Sequence, residues 1–173
     1  MAEVRVISMG LAKVEYGDVA DTGAMQSELT QLGYTYKESF EMQTDEPSVE
    51  EFYVEEVDPP LDMSGELGKT VFEWDILNPK VTEMAALGGG TATAADNKLE
   101  TADAWTSIEK AFKFTPKKGF IVSVPRASVI AYPRNGFKKG QPMLWHVKAT
   151  VLQIEVKSGN GTPAKPMILQ KLT

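Results

Sequence analysis

Apolar and polar residues change places at every second position through much of this chain, and that period is what its fold has to satisfy. From Thr70 to Leu77 (TVFEWDIL), Phe72, Trp74 and Ile76 fall on one face of an extended segment, and Val71, Glu73 and Asp75 fall largely on the other. A strand points successive side chains to opposite faces, so such a segment puts one face in a core and the other in water. The same period predicts a strand over 34–42, with Tyr34, Tyr36, Glu38, Phe40 and Met42 on one side and Thr35, Lys37, Ser39 and Glu41 on the other. Glu50–Glu56 (EEFYVEE) sets aromatic and β-branched residues between acids.

Turn chemistry joins these segments into hairpins. Phe112-Lys113-Phe114 and Phe120-Ile121-Val122 flank Thr115-Pro116-Lys117-Lys118-Gly119, where Pro presets a turn dihedral and Gly accepts a positive φ. Asn135-Gly136 follows Val129–Tyr132 and precedes Phe137, a hairpin signal with a loop longer than two residues. Met143–Val156 is the longest strand predicted. Its apolar phase changes from Trp145, Val147, Ala149 and Val151 to Leu152, Ile154 and Val156, which requires either a bulge near Leu152 or a far end covered by a neighbouring subunit. One helix is signed by Asn78 as cap, Pro79 in its first turn and Gly88 at its end, with Val81, Met84 and Ala85 as its apolar stripe. The residues from Gly88 to Ala95 read as a loop. Leu99–Lys110 fits either a helix or a strand, and alternation through Ile108 and Phe112 favours a strand from near Trp105. Ser158–Pro163 reads as a turn or linker before a short tail with Met167, Ile168 and Leu169.

A chain of 173 residues is expected to form one domain, 1–173, with an acidic loop over about 44–65 and a C-terminal tail over about 158–173. It has no cysteine, which removes disulfides and thiolate chemistry. The first residues carry charge at once and no apolar stretch follows, so neither a secretory signal nor a membrane span is expected. Charge is divided along the chain. Residues 1–75 hold 18 Asp/Glu against 4 Lys/Arg, a net of −14, and residues 76–173 hold 14 Lys/Arg against 6 Asp/Glu, a net of +8. Opposite charge on two parts of one chain steers copies of it together and fixes their register.

Catalytic patterns do not assemble. Gly68-Lys69-Thr70 resembles the end of a phosphate loop, but Met63 stands where the first Gly is needed and a strand follows instead of a helix. His146 is the one histidine and sits in a strand, where a structural role is expected. The acidic clusters lack the spacing and central Gly of a calcium loop. Serines show no nucleophile-elbow pattern. Asn160-Gly161-Thr162 matches a glycosylation acceptor without a secretory context. Lys117, Lys118, Arg126, Arg134, Lys138 and Lys139 interleaved with Phe114, Phe120, Tyr132 and Phe137 would suit a stacking surface for nucleic acid, but the pI of about 4.9 argues against a dedicated binder. The expectation is no enzyme and no cofactor or metal.

Three stretches in order resemble the major tail tube proteins of long-tailed bacteriophages. They are Leu32–Phe40 (LGYTYKESF) with the acidic run Thr44–Pro59 behind it, the strand–helix step Val71–Pro79 leading through Met84–Leu87 into Gly88–Gly90, and the late strand Trp145–Glu155. The resemblance covers roughly residues 30–157. It implies a mainly β fold, a two-sheet β-sandwich or barrel with one short flanking helix. It implies a structural virion protein, made in the host bacterial cytoplasm and located in the tail, whose hexameric rings stack into a tube that conducts DNA without binding it specifically. Partners would be further copies of the chain and other tail proteins at the tube ends. The acidic set Glu50, Glu51, Glu55, Glu56 and Asp58 is then expected to meet the basic set Lys117, Lys118, Arg134, Lys138 and Lys139 between subunits or to face the lumen. The alternative is a monomeric β-sandwich that binds a ligand on one concave aromatic face.

Overall fold

A computed structural model describes residues 6–136, 138–154 and 165–172. Phe137, Val156, the Asn160 acceptor and the linker expected at Ser158–Pro163 lie outside the described residues. The fold is mainly β, with a large antiparallel sheet and one short helix. Its strands are β1 (Met9–Gly17), β2 (Thr30–Gln31), β3 (Glu41–Thr44), β4 (Ser48–Val54), β5 (Val57–Glu66), β6 (Thr70–Ile76), β7 (Thr91–Thr93), β8 (Lys98–Glu100), β9 (Ile108–Lys118), β10 (Phe120–Arg134), β11 (Leu144–Val151) and β12 (Ile168–Lys171), with helix α1 (Val81–Gly88) between β6 and β7. The main sheet runs β2-β1-β9-β10-β11-β6-β3, and β12 pairs with β10 beside the end of β11. No helix among the described residues is long and apolar enough to cross a membrane.

The sheet curls until its two ends face each other. Phe72 of β6 stacks on Phe114 of β9 with ring centroids 4.6 Å apart, and Trp74 meets Phe112 edge-on at 5.4 Å. Two strands separate β6 from β9 in the sheet, so these contacts cross the interior of a barrel-like sandwich. The alternation in β6 is what puts Phe72, Trp74 and Ile76 there, each essentially without solvent contact. Val124, Ala127 and Val129 of β10 and Trp145, Val147 and Ala149 of β11 complete the core. The segment 30–36 ties the two sheet ends together on one side. Thr30, Gln31 and Leu32 pair with β1, while Tyr36 N donates to Asp75 O (2.7 Å) and Leu77 N to Tyr34 O (2.9 Å).

Several expectations change in detail. The strand over 34–42 is broken, because Glu38 takes a left-handed φ of 63° and Ser39 N turns back to Tyr36 O; only Glu41–Thr44 is strand. Asn78 does not cap the helix: its Oδ1 accepts from Tyr34 N (2.8 Å), and Lys80 is the cap, with Glu83 accepting from Lys80 N (3.0 Å). The stripe that packs inward is Met84 with Leu87. The loop after Gly88 is instead a small β7–β8 hairpin turned at Asn97 in the left-handed region. Trp105 is exposed and precedes β9, which starts at Ile108. The turn foreseen at 115–119 is mostly strand, since Pro116 and Lys118 pair with Leu11 and Met9 of β1 and only Gly119 turns, with φ 117°. The longest strand is β10, not the segment from Met143. The irregularity sits in β10 between Val124 and Ala127, and β11 ends at Val151, opposite Ala127. Left-handed Asn135 ends β10 as the hairpin signal requires.

Candidate assembly surface

The acidic stretch expected as a loop forms a regular hairpin. β4 and β5 pair antiparallel from Ser48↔Glu66 to Val54↔Val57, with a register shift between Phe52 and Val54 and the turn at Glu55-Glu56. We call this hairpin the arm. Its described side chains are exposed apart from a half-buried Pro60. Seven carboxylates stand on it (Glu50, Glu51, Glu55, Glu56, Asp58, Asp62 and Glu66) and no Lys or Arg. Alternation sorts them. Glu50, Phe52, Asp62 and Ser64 share one face, and Val49, Glu51, Tyr53 and Met63 the other, with the Tyr53 hydroxyl donating to the Glu51 carboxylate. That hydrogen bond raises the Tyr53 phenol above its ordinary range.

The arm is rooted in a close crossing. Asp45 N donates to Lys69 O at 2.9 Å, and a Cβ on Gly68 would lie 1.8 Å from Asp45 O, so that position accepts only glycine. The glycine of the apparent phosphate loop therefore serves backbone approach at the neck of the arm.

The basic set is divided. Lys117 and Lys118 end β9, whereas Arg134 ends β10 and Lys138 and Lys139 follow in the β10–β11 connection. The 15 residues of β10 lie between these two groups and set them at opposite ends of that strand, at most roughly 45 Å apart at about 3.3 Å per residue. No ion pair within the subunit joins either group to an arm carboxylate among the described residues. The five predicted acids are thus brought together, and the five predicted bases are not.

Arg134 belongs to a polar row on the outer face of the sheet. His146 Nδ1 lies 2.7 Å from Asp75 Oδ1, and Arg134 Nη1 lies 3.8 Å from the same oxygen. Lys148 Nζ binds Glu73 Oε1 at 2.6 Å, holding the Glu73 carboxyl below the usual carboxylate range and raising Lys148. Tyr132 packs beside the imidazole, with ring centroids 5.1 Å apart. His146 is buried and held by these neighbours.

A second surface had no signal in the sequence. Beside the tie made by 30–36, whose residues 31–36 also line it, the barrel stays open along a seam of about 750 Å³ between β1 and β3. Leu11 and Val14 line one bank, Phe40 and Met42 the other, and Phe72 and Phe114 the floor. Lys13, Lys37 and Lys117 stand around it together with Glu38. Among the described residues, Met9–Lys13 have no strand partner on the seam side, and β3 pairs only with β6. Only the contact across the curled sheet creates this seam, and nothing in the local pattern of β1 or β3 announces it.

No protein-family model and no curated protein matches this chain.

Proposed function

We propose that this chain is a self-assembling structural subunit of a bacteriophage tail tube, building stacked rings through which DNA passes. The observation that carries the reading is the arm. A two-stranded hairpin alone is at best marginally stable in water, yet this one leaves Val49, Phe52, Tyr53, Val57 and Met63 about half or more exposed to solvent. Exposed apolar surface rimmed by charge is what a partner covers. Nearby apolar exposure extends the argument: Ile7, Met9 and Leu169 stand well into solvent around the β9–β10 turn. An oligomer buries such groups, and charge sets encounter and register while apolar contact holds the assembly.

The charge balance fits a conduit. The acid surplus in residues 1–75 exceeds what the basic remainder can neutralise. Like charge along a lumen lets a polyanion slide, whereas lysines on the wall would exchange counterions with phosphates and hold it. Negative-stain microscopy of the concentrated protein, with mass by light scattering, tests the reading through rings or tubes. The seam favours a second reading, a monomeric module that binds a ligand in its concave apolar groove, and this predicts a lasting 19 kDa species.

A further inference from the structure

We propose that the open seam between β1 and β3 receives the β4–β5 arm of a second copy of this chain. The inference rests on the self-assembly proposed above and names the surface that accepts the arm. Three properties of the seam match three of the arm. The seam is apolar and aromatic, with Phe40 and Met42 on one bank above the buried floor of Phe72 and Phe114, and the arm offers Phe52, Tyr53 and Met63. Of the lysines that border the seam, Lys13 is paired with Glu15 (2.9 Å) and Lys37 with Glu38 (3.5 Å), which leaves Lys117 to meet an arm that carries seven carboxylates and no base. Lys117 makes no ion pair within its own subunit among the described residues, so its charge is free for a partner. The banks of the seam are strand edges with unused N–H and C=O groups, and the arm is itself made of strands with two free edges, so backbone pairing can extend the sheet across the gap.

The other occupants on offer fit less well. Among the described residues, the subunit's own arm contributes none to the seam lining. The segments of this chain outside the description, MAEVR at 1–5 and EVKSGNGTPA at 155–164, bring almost no large apolar side chains to an aromatic floor. Donor and acceptor are different patches of one molecule, so the contact is heterologous. Each copy gives one arm and receives one, and the series closes into a ring if the rotation between copies closes. Of the basic residues singled out in the sequence, Lys117 then faces the arm and Lys138 and Lys139 do not.

The absence of cysteine makes the test direct. Phe52→Cys protein is mixed with Met42→Cys or Lys13→Cys protein and mildly oxidised. The expected product is a disulfide-linked dimer of the two variants, forming about tenfold faster than with Lys139→Cys as the acceptor, and slowed about tenfold by Lys117→Glu or by high salt. Faster linkage to Lys139→Cys overturns the proposal while leaving self-assembly standing. So does the absence of linkage in a sample that forms rings by microscopy. A doubly substituted chain that links within itself at monomer mass shows its own arm in the seam and overturns it too. So does native mass spectrometry that finds a bound small amphiphile which raising the concentration of the full chain does not displace. A monomer at every concentration, with no mixed dimer, overturns both this inference and the assembly reading.

Discussion

The arm can be removed without touching the core, and the consequence can be worked out in advance. Asp45 N already bonds to Lys69 O, directly beyond the Thr44↔Thr70 pair of β3 and β6. Replacing the 23 residues 46–68 with Asn-Gly therefore closes an ordinary two-residue hairpin. The described side chains among those excised are exposed, apart from partly covered Gly68 and Pro60, so they give up almost no apolar burial. Shortening the connection from 23 residues to 2 lowers the loop-closure cost by (3/2)RT ln(23/2), about 2 kcal/mol, an upper bound because the arm is a hairpin and not a random loop. At roughly 2–4 °C per kcal/mol for a chain of this size, the melting temperature should stay level or rise by up to about 8 °C. Net charge moves from −6 to +2, because eight carboxylates and no base are removed. Thermal unfolding by circular dichroism reads the stability, and light scattering of the same samples reads the assembly. Stability kept and assembly lost is the expected pair. A drop of several degrees would show that the arm supports its own subunit, and assembly at the parent concentration would show that the arm is not the contact; either result refutes the reasoning.

Further outcomes follow from single contacts. Phe72→Ala removes a ring packed against Phe40 and Phe114 and should cost about 3–5 kcal/mol in chemical denaturation, whereas Phe52→Ala on the arm should leave the unfolding midpoint unchanged. Gly68→Ala should disturb the neck through the clash with Asp45 O, read as loss of assembly with the barrel still folded. Glu83→Ala removes the acceptor for Lys80 N at the start of α1 and should cost about 0.5–2 kcal/mol by thermal unfolding. Glu73 is held below the ordinary carboxylate range by Lys148, so its contribution is present at neutral pH and is lost as pH falls through the lowered value. Lys148→Met should flatten that acid limb of a stability–pH curve by under about 1 kcal/mol, since both groups are part-exposed.

What the sequence could convey is bounded by what is local. Phe72, Trp74 and Ile76 declare their shared face because a strand of period 2 with aromatic residues has few other solutions, and the structure buries all three. Asn135-Gly136 marks the end of β10 because the turn asks for a left-handed residue there. The break at Glu38 was not legible, since Glu is an unusual residue for a left-handed φ and the alternation from Tyr34 to Met42 continues through it. The tertiary bonds of Tyr34, Tyr36 and Ser39 to the β6 edge impose that turn. The phase change after Val151 falls where β11 ends, and the register shift lies instead in β10 at Pro125-Arg126, against β9, where Arg126 O accepts from Leu152 N. The acids of the arm were legible as a group because they are neighbours in sequence. The division of the bases was not, because it depends on the length of β10. The seam was hidden altogether, since it arises from strands that meet only once the sheet has curled.

The claim that this chain assembles through its arm into a tube meets its most direct test in negative-stain microscopy of the purified protein over rising concentration, with the Asn-Gly arm replacement beside it. Rings or tubes in the parent sample and dispersed 19 kDa particles in the replacement are the predicted result. A parent protein that stays monomeric at every concentration would contradict it.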